Sequence, residues 1–209
     1  MFADRAEAGR LLGDALRDRI DGPAFVLGLA RGGVVVAAGV AEALDAPLDV
    51  LIPRKLGAPR NPELAIGAVA PGVRVVDEAM VRRLRVSPAY LEAEIARAES
   101  EIERRSRAYR GDRPPPRLSG SCAVVVDDGV ATGATAIAAL RWARARRPGR
   151  LVFATPVGPA DTARLLSREC DEVVFLREPA SFTAVGTWYR HFGQVGDDEV
   201  RAIVARHAA

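Results

Sequence analysis

Between Cys122 and Thr135 the chain reads CAVVVDDGVATGAT, and few folds accommodate such a run. Ala123, Val124, Val125 and Val126 have the brevity and β-branched content of a buried strand, and they lead directly into Asp127 and Asp128. The two acids therefore stand at the carboxyl end of that strand. Gly129 and Gly133, with the small residues Ala131, Thr132, Ala134 and Thr135, predict a tight loop, and helical spacing resumes over 136–145. Strand, small-residue loop and helix aim backbone N–H groups and the positive end of a helix dipole at one point. Thr132 and Thr135 add hydroxyl donors there, and a phosphate fits such a point. Carboxylates repel phosphate, so Asp127 and Asp128 are expected to face a part of the ligand that offers donors, such as the two hydroxyls of a ribose. A strand ending in two acids also looks like the magnesium-holding strand of a P-loop nucleotidase, but no G-x-x-x-x-G-K-[ST] run occurs in the chain.

The run 124–135 resembles the signature of the type I phosphoribosyltransferases, which use phosphoribosyl pyrophosphate (PRPP). The resemblance implies that Asp127 and Asp128 hold the ribose 2′ and 3′ hydroxyls, and that Ala131, Thr132, Gly133, Ala134 and Thr135 hold the 5′-phosphate. A second strand, turn and helix is predicted where Phe25 to Leu29 runs into Ala30-Arg31-Gly32-Gly33 and then the helical stretch 34–44. Glycines alone leave a plain tight turn with a solvated arginine open. Arg31-Gly32-Gly33 nevertheless resembles the pyrophosphate loop of the xanthine-guanine enzymes, which implies pyrophosphate contacts from Ala30, Arg31 and Gly32 and a non-proline cis peptide around Ala30-Arg31.

Leu48 to Pro53 reads as the second core strand, with Arg54 and Lys55 at its end. Two cations there suit a solvated strand end, but strand-end loops of α/β sheets also bind ligands. The pair resembles that of the orotate and adenine enzymes, which approaches pyrophosphate. Of the 30 basic residues only Lys55 is lysine, so this position either needs a compact ammonium rather than a planar fork or is lysine by chance. Leu56 to Glu63 is rich in turn formers and is expected to be mobile. The resemblance makes it the loop that closes over the site, with 65–70 and 73–76 as the hairpin behind it.

Asp4 and Glu7 predict a capped first helix with Phe2 packing back on it. Residues 77–113 read as a helical insertion: Ser87-Pro88 starts a helix to Tyr109, about 33 Å long at about 1.5 Å per residue. Leu91, Ile95, Ala98, Ile102 and Tyr109 form its narrow apolar stripe, suited to a partner helix in cis or across a homodimer. Residues 114–116 are three prolines in a stiff connector. Strands near 151–156 and 172–176 and a helix near 161–168 continue the alternation, and Asp197 is expected to cap a last helix. Spacing alone gives a doubly wound α/β sheet in one domain over 1–209. The resemblance implies five parallel strands in the order 3-2-1-4-5 and a small hood, here 177–195, whose Phe182, Trp188 and Tyr189 either pack together or stack on a nucleobase.

Hydrophobic residues at 49% and charged residues at 27% are ordinary for a globular protein, and no apolar run reaches membrane-helix length. A cytoplasmic protein without a membrane partner is expected. The +3 charge is spread and interleaved with acids, which argues against a nucleic-acid partner. Cys122 and Cys170 lie in or beside predicted strands and are expected to be buried thiols.

The resemblance implies transfer of phosphoribosyl from PRPP to a nitrogen acceptor, a nucleobase, with pyrophosphate released. Asp127, Asp128, Arg31 and Lys55 would be catalytic, Mg²⁺ would be held mainly by PRPP, and no residue-only metal site is expected. The 6-oxopurine enzymes carry a third acid three residues after the second of the pair. Ala131 stands there instead, so an adenine-like or unfamiliar acceptor gains. The alternatives are a non-catalytic PRPP- or nucleotide-binding regulatory protein and an enzyme that hydrolyses PRPP.

Overall fold

Short β-branched runs alternating with helical stretches build the chain, and the computed structural model describes residues 1–207 of it. In chain order the elements are α1 (Arg5–Arg17), β1 (Ala24–Leu29), α2 (Gly32–Leu44), β2 (Leu48–Leu51), β3 (Arg54–Ala58), β4 (Asn61–Ala70), β5 (Val73–Val76), α3 (Glu78–Arg83), α4 (Pro88–Arg110), β6 (Cys122–Val126), α5 (Ala134–Arg144), β7 (Arg150–Val157), α6 (Ala160–Leu166), β8 (Glu172–Arg177) and α7 (Asp197–Arg206). The strands β2-β1-β6-β7-β8 form a five-stranded parallel sheet, and β3-β4-β5 form a separate antiparallel sheet.

Counted among the parallel strands alone the order is 2-1-3-4-5, which corrects the expected 3-2-1-4-5. The third strand cannot pair with β2, because the outer edge of β2 is already taken. Leu48 N–H donates to the His207 carbonyl (3.0 Å), and the Arg110 guanidinium donates to the Val50 carbonyl and to Asp49 Oδ2, both at 2.8 Å. Such groups protect an edge strand from further pairing. The chain therefore leaves β2 into the antiparallel sheet, and β6 pairs with the free side of β1.

The second strand also ends sooner than expected, at Leu51, so Arg54 and Lys55 open β3 instead of closing β2. Leu56 to Glu63 is not an unstructured loop: it forms most of β3, a tight turn at Pro59-Arg60 and the start of β4. The expected hairpin over 65–76 is present as the rest of β4 with β5.

Both faces of the sheet are covered. Val26, Val124, Val126, Val152 and Ala154 pack with α1, α2, α4 and α7 on one side, while Leu27, Ala123, Val125, Leu151 and Phe153 pack with α5 on the other. The stripe of α4 buries Ile95, Ala98, Ile102 and Tyr109 against β2, β3, β4 and α7 of the same chain, so its partner lies in cis. Cys122 and Cys170 are free, buried thiols.

The helices α1 and α2 run parallel and nearly backbone to backbone. A Cβ on Gly9 would lie 2.5 Å from the Val36 carbonyl oxygen, and one on Gly39 would lie 2.7 Å from Arg10 N, so only glycine permits this approach. The register brings the first turn of α1 beside the first turn of α2, at the carboxyl end of the sheet. Asp4 caps α1 as expected, accepting from Glu7 N–H at 2.9 Å, and Phe2 is buried against Ala8 and Tyr189.

Arg110 and Asp49 are each only 8% exposed, so removing one leaves the other charge buried and uncompensated. Arg110→Ala is expected to lower the unfolding free energy by about 3 kcal/mol, read from urea denaturation. An unchanged midpoint would show that the pair is dispensable.

Candidate functional site

The central strand β6 is buried along its whole length between β1 and β7. Its sheet pairing ends where Asp127 N–H donates to the Ala154 carbonyl (3.2 Å), and the chain then turns, with Asp128 N–H donating to Asp127 Oδ1 at 2.9 Å. Val130 N–H donates to the Val157 carbonyl (3.0 Å), and the Thr162 hydroxyl donates to the Ala131 carbonyl, tying the loop to β7 and α6. Ala131 and Thr132 are exposed. Gly133 then adopts a left-handed φ of 81° as the residue before α5, a conformation that favours glycine. No side-chain hydrogen bond caps α5, and its first turn holds no acid.

A second segment converges on these acids. The Ala30–Arg31 peptide bond is cis, at the expected place. A Cβ on Gly32 would fall 1.9 Å from Asp128 Oδ2, and one on Gly33 would fall 2.8 Å from the Val126 carbonyl oxygen and 2.9 Å from Asp127 Cα. The glycines of the Arg31 loop are thus what lets that loop pack against the acidic pair. Arg31 itself lies 3.7 Å from Asp197 Oδ1, and the Tyr109 hydroxyl donates to the same oxygen at 2.6 Å. Asp197 is therefore the first residue of α7, facing Arg31 and Tyr109, and does not cap the helix; Gly196 precedes it there. The Tyr109 hydrogen bond and nearby arginines hold the Asp197 carboxyl below the usual range.

Lys55 is turned to its own hairpin: its ammonium donates to the carbonyl and to Oε2 of Glu63, both at 3.0 Å. Arg54 beside it makes no ion pair among the described residues.

Sequence reasoning missed the groups that hold Asp128. Arg5, the first residue of α1, donates from Nε to Asp128 Oδ2 at 2.7 Å and from Nη1 to the Gly193 carbonyl at 2.8 Å. Its guanidinium carbon sits 3.8 Å from the centroid of the Phe192 ring, a cation–π contact. The Tyr189 hydroxyl donates to the Asp128 carbonyl at 2.5 Å. Burial, then the charge of Asp128, raises the Tyr189 hydroxyl pKa and keeps it a donor.

Tyr189 is 5% exposed, with the tilted Phe2 ring at 5.5 Å and the stacked Phe192 ring at 5.0 Å, so it is too buried to stack on a base. Phe182 and Trp188 are partly exposed. Val185 covers the acidic loop: a Cβ on Gly129 would fall 2.2 Å from Val185 Cγ1. The hood segment therefore rests directly on the loop that follows the acids.

A phosphoribosyl transferase domain matches residues 4–190, and the chain belongs to that family. It is 47% identical over 207 residues to a Mycobacterium tuberculosis protein named "Putative phosphoribosyl transferase Rv0571c", covering 99% of this chain and 47% of that one. The chain thus spans about half the length of the curated relatives it matches. The solved structure of TT1426 from Thermus thermophilus is 44% identical, aligns over 100% of both chains and superposes with a TM-score of 0.83.

Burial first, then the neighbouring charge of Asp128, pushes the Asp127 carboxyl well above the usual carboxylate range. Its folded pKa lies above its unfolded one, so its ionisation costs stability as pH rises from the unfolded towards the folded value. Asp127→Asn keeps the acceptor for Asp128 N–H without the charge. It is expected to raise Tm at pH 7, with the gain fading towards pH 4. A Tm difference independent of pH across that window would contradict the assignment.

Proposed function

We propose that the chain transfers a phosphoribosyl group from PRPP to a nitrogen acceptor, a nucleobase by class, and releases pyrophosphate. The observation that carries this reading is the convergence of Arg31-Gly32-Gly33 with Asp127-Asp128 at the uncapped start of α5. An arginine loop, a carboxylate pair and an uncapped helix start thus belong to two segments that meet at the end of β6. Ribose, its 5′-phosphate and its pyrophosphate need those three chemistries together.

The backbone of Ala131 to Thr135 would take the 5′-phosphate, and Asp127 and Asp128 the two ring hydroxyls. As the anomeric carbon–oxygen bond breaks, positive charge builds on the sugar and negative charge on the leaving group. The carboxylates would lie near the first, while Arg31, Arg54 and Lys55 would face the second. A Mg²⁺ ion carried by the pyrophosphate would add neutralisation there, since Mg²⁺ is bound chiefly through phosphates and water. Ala131, exposed and without a carboxyl, gives no third acid to a 6-oxopurine ring nitrogen. An adenine-like acceptor fits better. Phe182 and Trp188 are the remaining aromatic candidates to meet it. A cytoplasmic setting and the absence of a nucleic-acid partner remain part of the same reading.

The test is a panel of nucleobases incubated with PRPP and Mg²⁺ and read as pyrophosphate released. One base is expected to give turnover, and Asp128→Asn to lower it about a hundredfold, as losing a preorganised transition-state contact does. PRPP binding without pyrophosphate from any base would point to a regulatory protein, and free ribose 5-phosphate to hydrolysis. Undiminished turnover by Asp128→Asn would remove the acids from the mechanism.

A further inference from the structure

Trp188 aside, two short runs play no part in the chemistry above, the opening Phe2-Ala3-Asp4-Arg5 and the hood's 184–193, yet they are fastened to each other and to one carboxylate. Phe2 N–H donates to the Trp188 carbonyl (2.8 Å), Arg190 N–H to the Phe2 carbonyl (2.8 Å) and His191 N–H to the Ala3 carbonyl (2.9 Å). From this seam Arg5 reaches Asp128 Oδ2, the Gly193 carbonyl and the Phe192 ring at once. The Arg5 and Asp128 side chains are only 11% and 15% exposed, so water does not screen the pair as it does a surface ion pair. Asp128 Oδ2 is enclosed on its other side by Gly32, whose missing Cβ would overlap it. That oxygen is held between Arg5 and the Gly32 backbone, and the rest of the carboxylate is fixed by what holds it.

Resting on the PRPP reading, we propose that Arg5 is a positioning residue: it fixes the Asp128 carboxylate so that its second oxygen receives a ribose hydroxyl, and it makes diol recognition depend on the seam between the amino terminus and the hood. Arginine suits this role because one planar fork satisfies two acceptors while its face lies on an aromatic ring. Lysine would keep the charge but not the geometry.

The test compares ribose 5-phosphate with 2-deoxyribose 5-phosphate, each titrated against the full chain by calorimetry. Both carry the phosphate, and only the first carries the complete diol. The wild type is expected to prefer ribose 5-phosphate by about tenfold or more, the value of one charge-assisted hydrogen bond. Arg5→Gln is expected to bring that ratio within about twofold of unity while still binding both ligands through the phosphate loop, and Arg5→Lys to give an intermediate ratio. A merely structural role would weaken both ligands alike and leave the ratio standing. A wild-type ratio in folded Arg5→Gln, or in folded Arg5→Lys should Arg5→Gln not fold, overturns the inference. A wild type that binds neither sugar phosphate nor PRPP overturns the PRPP reading instead.

Discussion

The site depends on a close approach. Because α1 and α2 touch backbone to backbone through Gly9 and Gly39 and run parallel, their first turns arrive together at the carboxyl end of the sheet. That end is where β6 delivers its acids. Gly32 then leaves a gap the size of a carboxylate oxygen, which Asp128 fills, and Arg5 closes over it. Any side chain at Gly32 would have to displace either the acid or the arginine. Besides covering one face of the sheet, the helix pair is thus the scaffold that sets three distant segments into contact.

The two acids are consequently unequal, although the sequence presents them as a pair. Asp128 has a guanidinium within hydrogen-bond distance, a charge-assisted contact that fixes one of its oxygens. Asp127 is desolvated and lies beside a like charge, and a backbone N–H with the more distant charge of Arg5 compensates it only in part. Burying it is unfavourable to the fold, which functional sites accept where a ligand later supplies the missing donors. A diol would do so, since each hydroxyl can donate one hydrogen bond.

Much of this was legible from local chemistry. The strand before Asp127, the small-residue loop, the helix after it and the Arg31-Gly32-Gly33 turn are all specified by residues adjacent in sequence. So was the α4 stripe, whose partner alone was undetermined. The failures share one cause, in that they depend on pairing between distant segments. Residues 56–63 look like a loop because Gly57, Pro59 and Pro62 discourage regular structure, yet antiparallel partners in β4 hold them through two irregular register steps. The strand order turned on Arg110 and His207 occupying an edge far from them in sequence. Arg5 meets Asp128 across 123 positions, and no periodicity or motif within one sequence joins such a pair.

Which contacts would survive ligand binding can be argued from their exposure. Lys55 is paired with a Glu63 side chain that is 92% exposed, and Arg31 faces Asp197 at 3.7 Å, longer than a hydrogen bond. Pairs of this kind contribute about 0–1 kcal/mol, so a multiply charged pyrophosphate would readily take either cation. The Arg5–Asp128 contact is short, enclosed and reinforced by Gly193 and Phe192. Breaking it would strand a carboxylate and a guanidinium away from water, a far larger cost than giving up a surface pair. Under the proposed reaction the cations that meet the leaving group are the loosely held ones, while the arginine beside the sugar stays in place. On that reading the charges divide into those that would move with the ligand and those that would keep the geometry still.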